Sequence, residues 1–240
     1  MPARDPVWDS ARTQEPDRYL AALYAPESAR SRLMALAAFQ GEITRIPASV
    51  REPLLAEIRL QWWRDALDQL RKGELTGHPV ADRLGPDIAS GLLPLGLMSG
   101  MIDEAGERDT ASLVADPQIL RSHLNKSHGA AFALAARALG ARHSDAVETA
   151  TARAGFVYGL ARMLVEGRVR DAQQRDSLAA ECRRALPEAA AAVARLDSAL
   201  LPGFLPLAMA NVYLHQAGPG VSPLKRWWRL WRAQVSGRVA

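Results

Sequence analysis

Glu57-Ile58-Arg59-Leu60-Gln61-Trp62-Trp63-Arg64-Asp65-Ala66-Leu67 sets two adjacent tryptophans among charged residues in a helical pattern. Leu55, Ile58, Trp62, Ala66 and Leu70 recur at steps of three and four, the spacing of one helix face. Trp63 and Leu67 widen that face into a stripe a helix can bury. Glu57, Arg59, Gln61 and Arg64 keep the flanks polar. Adjacent tryptophans between charged residues ask for two surroundings at once, an apolar core and water. The spacing predicts an amphipathic core helix whose arginines reach past the core to solvent.

Outward from this stretch, the chain reads as helices punctuated by proline and glycine. Its 240 residues are 48% hydrophobic, enough for one sizeable core, with no composition break that calls for a second domain. Few segments alternate with period two, so all-α is the predicted class. Residues 1–16 read as a flexible arm before a single domain over 17–240, with Asp17 capping the first helix. A helix follows over about Glu27–Ile46, stopped or kinked by Pro47, and Pro53 starts the tryptophan helix. Pro86 makes continuity after His78-Pro79 doubtful. One long helix is predicted from Pro117 to Leu139, and Ser144-Asp145 caps another, rich in small residues, to Val165. Two helices are predicted over Ser177–Ala185 and Pro187–Leu201, and a final pair over Leu205–Gln216 and Leu224–Val235.

Charge and composition exclude several function classes. Thirty basic against 26 acidic residues leave a net charge of +4, too small a bias to predict nucleic-acid binding. A lone Cys182 cannot form an internal disulfide or a cysteine-rich metal site, and it fits a reducing compartment. Met1 to Asp9 has no apolar run, and no window spans a bilayer, so a cytoplasmic protein is expected. The tail differs. Lys225-Arg226-Trp227-Trp228-Arg229-Leu230-Trp231-Arg232 interleaves four cations with three tryptophans. That composition suits a helix lying in a membrane interface through Trp227, Trp228, Trp231 and Arg229; packing on the bundle is the other reading.

The wording Arg59-Leu60-Gln61-Trp62-Trp63-Arg64-Asp65-Ala66-Leu67, after Glu52-Pro53-Leu54-Leu55-Ala56-Glu57-Ile58 and before His78-Pro79-Val80-Ala81, resembles the squalene/phytoene synthase family. More narrowly, it is similar to the divergent branch that includes relatives of the mitochondrial complex I assembly factor. Asp17-Arg18-Tyr19-Leu20 and Ala35-Leu36-Ala37-Ala38-Phe39 match in the same order. The resemblance implies an all-α bundle of the isoprenoid synthase type enclosing a cavity. Active members hold magnesium on two aspartate-rich motifs, because a departing diphosphate needs its charge held and magnesium needs clustered carboxylate oxygens.

Here those motifs are empty. Sliding the first, Asp-Asp-x-x-Asp, onto this chain puts Thr44, Arg45 and Ala48 at its aspartates, with only Glu42 acidic a turn earlier. At the second, Arg162 stands near the family's asparagine and Glu166 near its first aspartate. Neither a metal site nor a cofactor is expected, and no catalytic residue is assigned. Glu42, Arg45, Arg59, Trp62, Tyr158, Arg162 and Glu166 are the candidate cavity-lining residues. His123 and His128, five apart, read as polar helix surface, and Asp103, Glu104, Glu107 and Asp109 as a solvated acidic loop.

Three functions follow. The first is a non-catalytic binding or assembly protein at the membrane, with a protein partner in respiratory complex I assembly. The second is a prenyl transferase joining two isoprenoid diphosphates head to head, which would need magnesium. The third is a carrier using the cavity for an isoprenoid or lipid ligand.

Overall fold

The computed structural model describes residues 5–239 apart from Arg51, Arg108, Ala217 and Pro219, and it is all helical. The first helices are α1 (Pro6–Gln14), α2 (Pro16–Ala22), α3 (Glu27–Ser49), α4 (Pro53–Arg71), α5 (Pro79–Ala89), α6 (Leu95–Ala105) and α7 (Thr110–Ala115). α8 (Pro117–Leu124) runs through a π turn at Asn125–Gly129 into α9 (Ala130–Ala138). The chain ends with α10 (Asp145–Val165), α11 (Ala172–Val193), α12 (Leu201–Phe204), α13 (Met209–Leu214) and α14 (Pro223–Ser236).

Local chemistry sets most of these boundaries. Proline occupies the first turn of α1, α2, α4, α5, α8 and α14, where its missing N–H costs nothing. Asp116, Ser144, Asp171 and Ser222 accept backbone N–H groups at the starts of α8, α10, α11 and α14. Gly140 (φ 93°) and Gly167 (φ 70°) supply left-handed turns just past α9 and α10.

Packing then overrides several sequence expectations. Where a flexible arm is predicted, α1 packs on α3 and buries Val7 and Ala11, so burial orders residues 6–14; residues 1–4 of the same arm lie outside the described residues. α3, α5 and α11 continue through Pro47, Pro86 and Pro187. In α11 the two predicted helices are one, because Leu178, Cys182, Leu186, Ala189 and Val193 lie buried along a single stripe facing α10. That contact outweighs the local cost of a proline. The predicted long helix over 117–139 is interrupted by the π turn, and the predicted helix over 205–216 is a 3₁₀ turn followed by the short α13.

The tryptophan helix is present, but it buries a different stripe. Ala56, Leu60, Trp63, Ala66, Leu67 and Leu70 face the core, while Leu55 and Ile58 are exposed and Trp62 keeps 41% of its surface. Trp63 retains 3% and packs edge-on against Phe39 of α3 at 5.1 Å. Two overlapping stripes satisfy helical spacing here, and the neighbouring α3, α5 and α6 select one.

α10 lies against the π turn and α11. A Cβ on Gly155 would come within 2.3 Å of the Gly129 backbone nitrogen, and one on Gly159 within 2.5 Å of His128 Cδ2. The small residues of this helix thus serve close approach of two backbones. Cys182 is packed, its thiol donating to the Val157 carbonyl at 3.3 Å, and burial pushes its pKa up to about 12.

Candidate functional site

A polar cleft of about 390 Å³ opens between the C-terminal half of α3, α6, the π turn and the end of α10. Thr44 and Ala48 of α3 line one wall, and Glu166 and Arg168 line another. The two segments onto which the resemblance slides the metal motifs thus line one cleft. Their donor sets do not fit magnesium. A hydroxyl and a methyl stand on one side, and Glu166 is engaged by Arg162, whose Nη2 donates to it at 2.8 Å. Among the described residues, no group of three or more His, Cys, Asp and Glu is placed to hold a metal ion.

The cleft does gather side chains read from sequence as surface. His123 is buried, and its Nδ1 sits 2.7 Å from Glu104 Oε2. Lys126 Nζ lies 3.4 Å from the other oxygen of Glu104. His128 also lines the cleft, its Nδ1 3.3 Å from Gln40 Nε2 and its ring edge-on to Tyr158. Burial lowers the His128 pKa well below its ordinary value, and Arg162, Arg18 and His123 repel its protonated form. This corrects the expectation of a polar surface. A spacing of five is off-face for an α-helix, but the π turn closes bonds five residues apart and brings both rings to one side. Glu104 belongs to α6 rather than to a solvated loop. No motif announces the π turn, so sequence spacing alone could not place these rings together.

Behind the cleft lies a charged cluster that joins the chain's two ends. Asp17 is almost wholly enclosed, so it is not a solvent-facing cap. Its Oδ2 accepts the hydroxyls of Tyr158 (2.8 Å) and Tyr213, and its Oδ1 accepts Arg226 Nε at 2.6 Å. Burial, then the Asp17 charge, raises the pKa of both tyrosines, which keeps them protonated donors. Glu15 accepts Arg162 Nη1 through both oxygens, at 2.6 and 2.8 Å. Burial alone would lower the Arg162 pKa, but Glu15, Tyr158 and Glu166 hold it well above the usual range.

The seven candidate cavity-lining residues do not gather around one space. Glu166 borders the cleft. Tyr158 and Arg162 sit in the charged cluster. Glu42 turns away, accepting from Ser10 Oγ at 3.0 Å and lying 3.5 Å from His78 Nε2. Arg45 and Arg59 are exposed, Arg59 donating to Ser49, and Trp62 rests its ring 5.2 Å from that of His78. The cleft wall on α3 is formed instead by Gln40, Ile43, Thr44, Pro47 and Ala48, and α4 turns Arg59 and Trp62 outward because it buries the stripe through Leu60 and Trp63.

At the tail, α14 packs on the bundle through Arg226, Leu230 and Ala233, and Arg229 donates to the Ala208 carbonyl at 3.0 Å. Arg229, expected at the membrane, thus faces the protein. Leu224, Trp227 (44% exposed) and Trp228 (51% exposed) point outward, and Trp231 is half-buried against both rings. No helix of the described residues is long and apolar enough to cross a membrane.

An all-α bundle with a cleft between the ends of two long facing helices defines an isoprenoid synthase-type protein. The chain belongs to the squalene/phytoene synthase family, whose model matches residues 11–165, more than half of it. It is also similar to NADH dehydrogenase (ubiquinone) complex I, assembly factor 6 of Bos taurus, 26% identical over 136 residues. That match covers 56% of this chain and 41% of the relative, so the chain spans less than half of the relative's length. No solved structure matches it.

Proposed function

We propose that this protein is a non-catalytic member of the family that acts in binding or assembly at a membrane surface, with respiratory complex I as its target. The observation carrying the reading is the cleft itself. The segments that should face each other with carboxylates present Thr44, Ala48 and an Arg162-bound Glu166. Head-to-head condensation of two diphosphates needs their charge held by divalent ions, and these side chains are poor ligands for such ions. The similarity to a complex I assembly factor supports the choice of target. The outward Trp227 and Trp228 of α14, with Lys225 and Arg232 exposed beside them, support the membrane surface.

Purified protein incubated with magnesium and labelled farnesyl or geranylgeranyl diphosphate is expected to give no hydrocarbon product. Deleting the gene is expected to lower respiratory NADH oxidation and to leave succinate oxidation intact. A metal-dependent squalene- or phytoene-like product, or unchanged complex I activity in the deletion strain, would overturn the proposal.

A further inference from the structure

α4 buries one of its two apolar stripes and leaves the other outside. Leu55, Ile58 and Trp62, spaced by three and four, share that outer face, and Leu54 sits a turn before Ile58. All four are exposed; Leu54 keeps 69% of its surface and Ile58 56%. Single exposed leucines are ordinary, but four large apolar side chains over about two and a half turns of one helix make a contiguous patch. Trp62 is held in place within it, its ring edge-on to Trp63 at 5.1 Å and 5.2 Å from that of His78. An aromatic ring already fixed in position loses little freedom when a partner covers it.

The two edges of the patch differ in charge. Along one, Arg59 donates to the Ser49 hydroxyl at 3.3 Å, which lays the end of α3 beside it. Arg45, a turn before Ser49 on α3, falls at the same edge. Both arginines are exposed, and among the described residues neither has a carboxylate within 4 Å. Glu42, the acid nearest Arg45 along α3, is engaged by Ser10 and His78. Along the other edge the acids are already held: Arg64 donates to Glu57 at 2.7 Å, and Gln61 to Asp65 at 2.8 Å. Glu52 lies at the start of α4, by the helix's own positive end. The unmet charge beside the patch is therefore that of the arginines. A lipid surface fits this face poorly, because Glu52, Glu57, Asp65 and Asp68 are exposed along the same helix and repel anionic headgroups. A second copy fits no better. Antiparallel α4 helices about a two-fold axis set arginine edge against arginine edge, and parallel ones set it against carboxylates that Arg64 and Gln61 hold.

We infer that this outer face of α4 docks an amphipathic helix of a partner protein, which lays apolar side chains over Ile58 and Trp62 and sets carboxylates along the Arg45–Arg59 edge. The inference rests on the assembly reading above and names the surface through which it works. A patch this short suits a partner held in passing rather than a permanent subunit.

Fluorescence anisotropy of three labelled synthetic helices against the full chain tests this. The peptides share a leucine face and carry Glu, Gln or Lys along one edge. The Glu-edged peptide is expected to bind about tenfold tighter than the Lys-edged one at low salt, the worth of two exposed ion pairs, and the gap should narrow as salt is raised. Leu55→Gln with Ile58→Gln should weaken all three by about tenfold or more, and Arg59→Glu should reverse their order. These side chains are exposed, so Tm should stay within a few degrees of the parent. In the deletion strain, the Leu55→Gln, Ile58→Gln chain at parental level should fail to restore NADH oxidation. Equal binding of the three peptides, or binding that survives the double substitution, overturns the inference. So does loss of liposome binding, or of a dimer seen by light scattering, in that variant, since either gives the face to lipid or to a second copy. If the deletion itself leaves complex I unchanged, the assembly reading falls and the peptides still decide the surface. If the deletion lowers NADH oxidation and the double variant restores it, the surface alone falls.

Discussion

Asp17 shows how much one side chain carries in this molecule. Its carboxylate is shared by two tyrosines and Arg226, so truncating it strands a buried cation and two buried hydroxyls. Asp17→Ala is expected to cost about 3–5 kcal/mol, read from urea unfolding. A loss under about 1 kcal/mol would mean that the cluster is solvated in solution. His128 gives a pH signature. Burial and then the charges of Arg162 and Arg18 keep it neutral when folded, whereas the unfolded chain takes up a proton near pH 6.5. The unfolded state therefore binds more protons below that pH, so stability is full above about pH 6.5 and falls as the solution is acidified. Measured between pH 8 and 5, the slope should flatten in His128→Gln, and an unchanged slope would remove His128 as its source.

At the scale of the element, α4 is the informative case. Both apolar stripes obey helical spacing, and only contact with α3, α5 and α6 tells them apart. Trp63→Ala is expected to cost about 3–5 kcal/mol, as removal of a fully packed aromatic does. Trp62→Ala should cost about 1 kcal/mol, the worth of an edge contact on a half-exposed ring. Reversed values in chemical denaturation would restore the stripe read from the sequence. The π turn makes the same point. A single extra residue in the α8–α9 rod turns His123 and His128 toward one cleft, and the glycines of α10 leave room for it.

For the whole molecule, α14 has two faces with separate work. Arg226 and Leu230 anchor it to the bundle, and Trp227 and Trp228 remain outside beside Lys225 and Arg232. Trp227→Ala with Trp228→Ala is expected to leave Tm within a few degrees of the parent and to weaken co-sedimentation with anionic liposomes, most clearly at low salt. Equal sedimentation of parent and variant would remove the membrane surface from the proposed function. The helical class, the proline starts of α4, α5 and α8, the Ser144 cap of α10 and the absence of aspartates from both motif segments were legible in the chain, because each rests on residue identity or on groups within a turn of one another; the breaks read at Pro47, Pro86 and Pro187 were not, since packing carries the helices through them. Nor were the buried stripe of α4, the ordering of the N-terminal residues into α1, the shared cleft of the two histidines and the arginine edge beside the outer face of α4. Asp17 and Arg226 lie 209 positions apart. Which charges find partners over such separations, and which stay alone, is decided by how the helices pack, since burial and ion pairing depend on neighbours in space that local spacing does not specify.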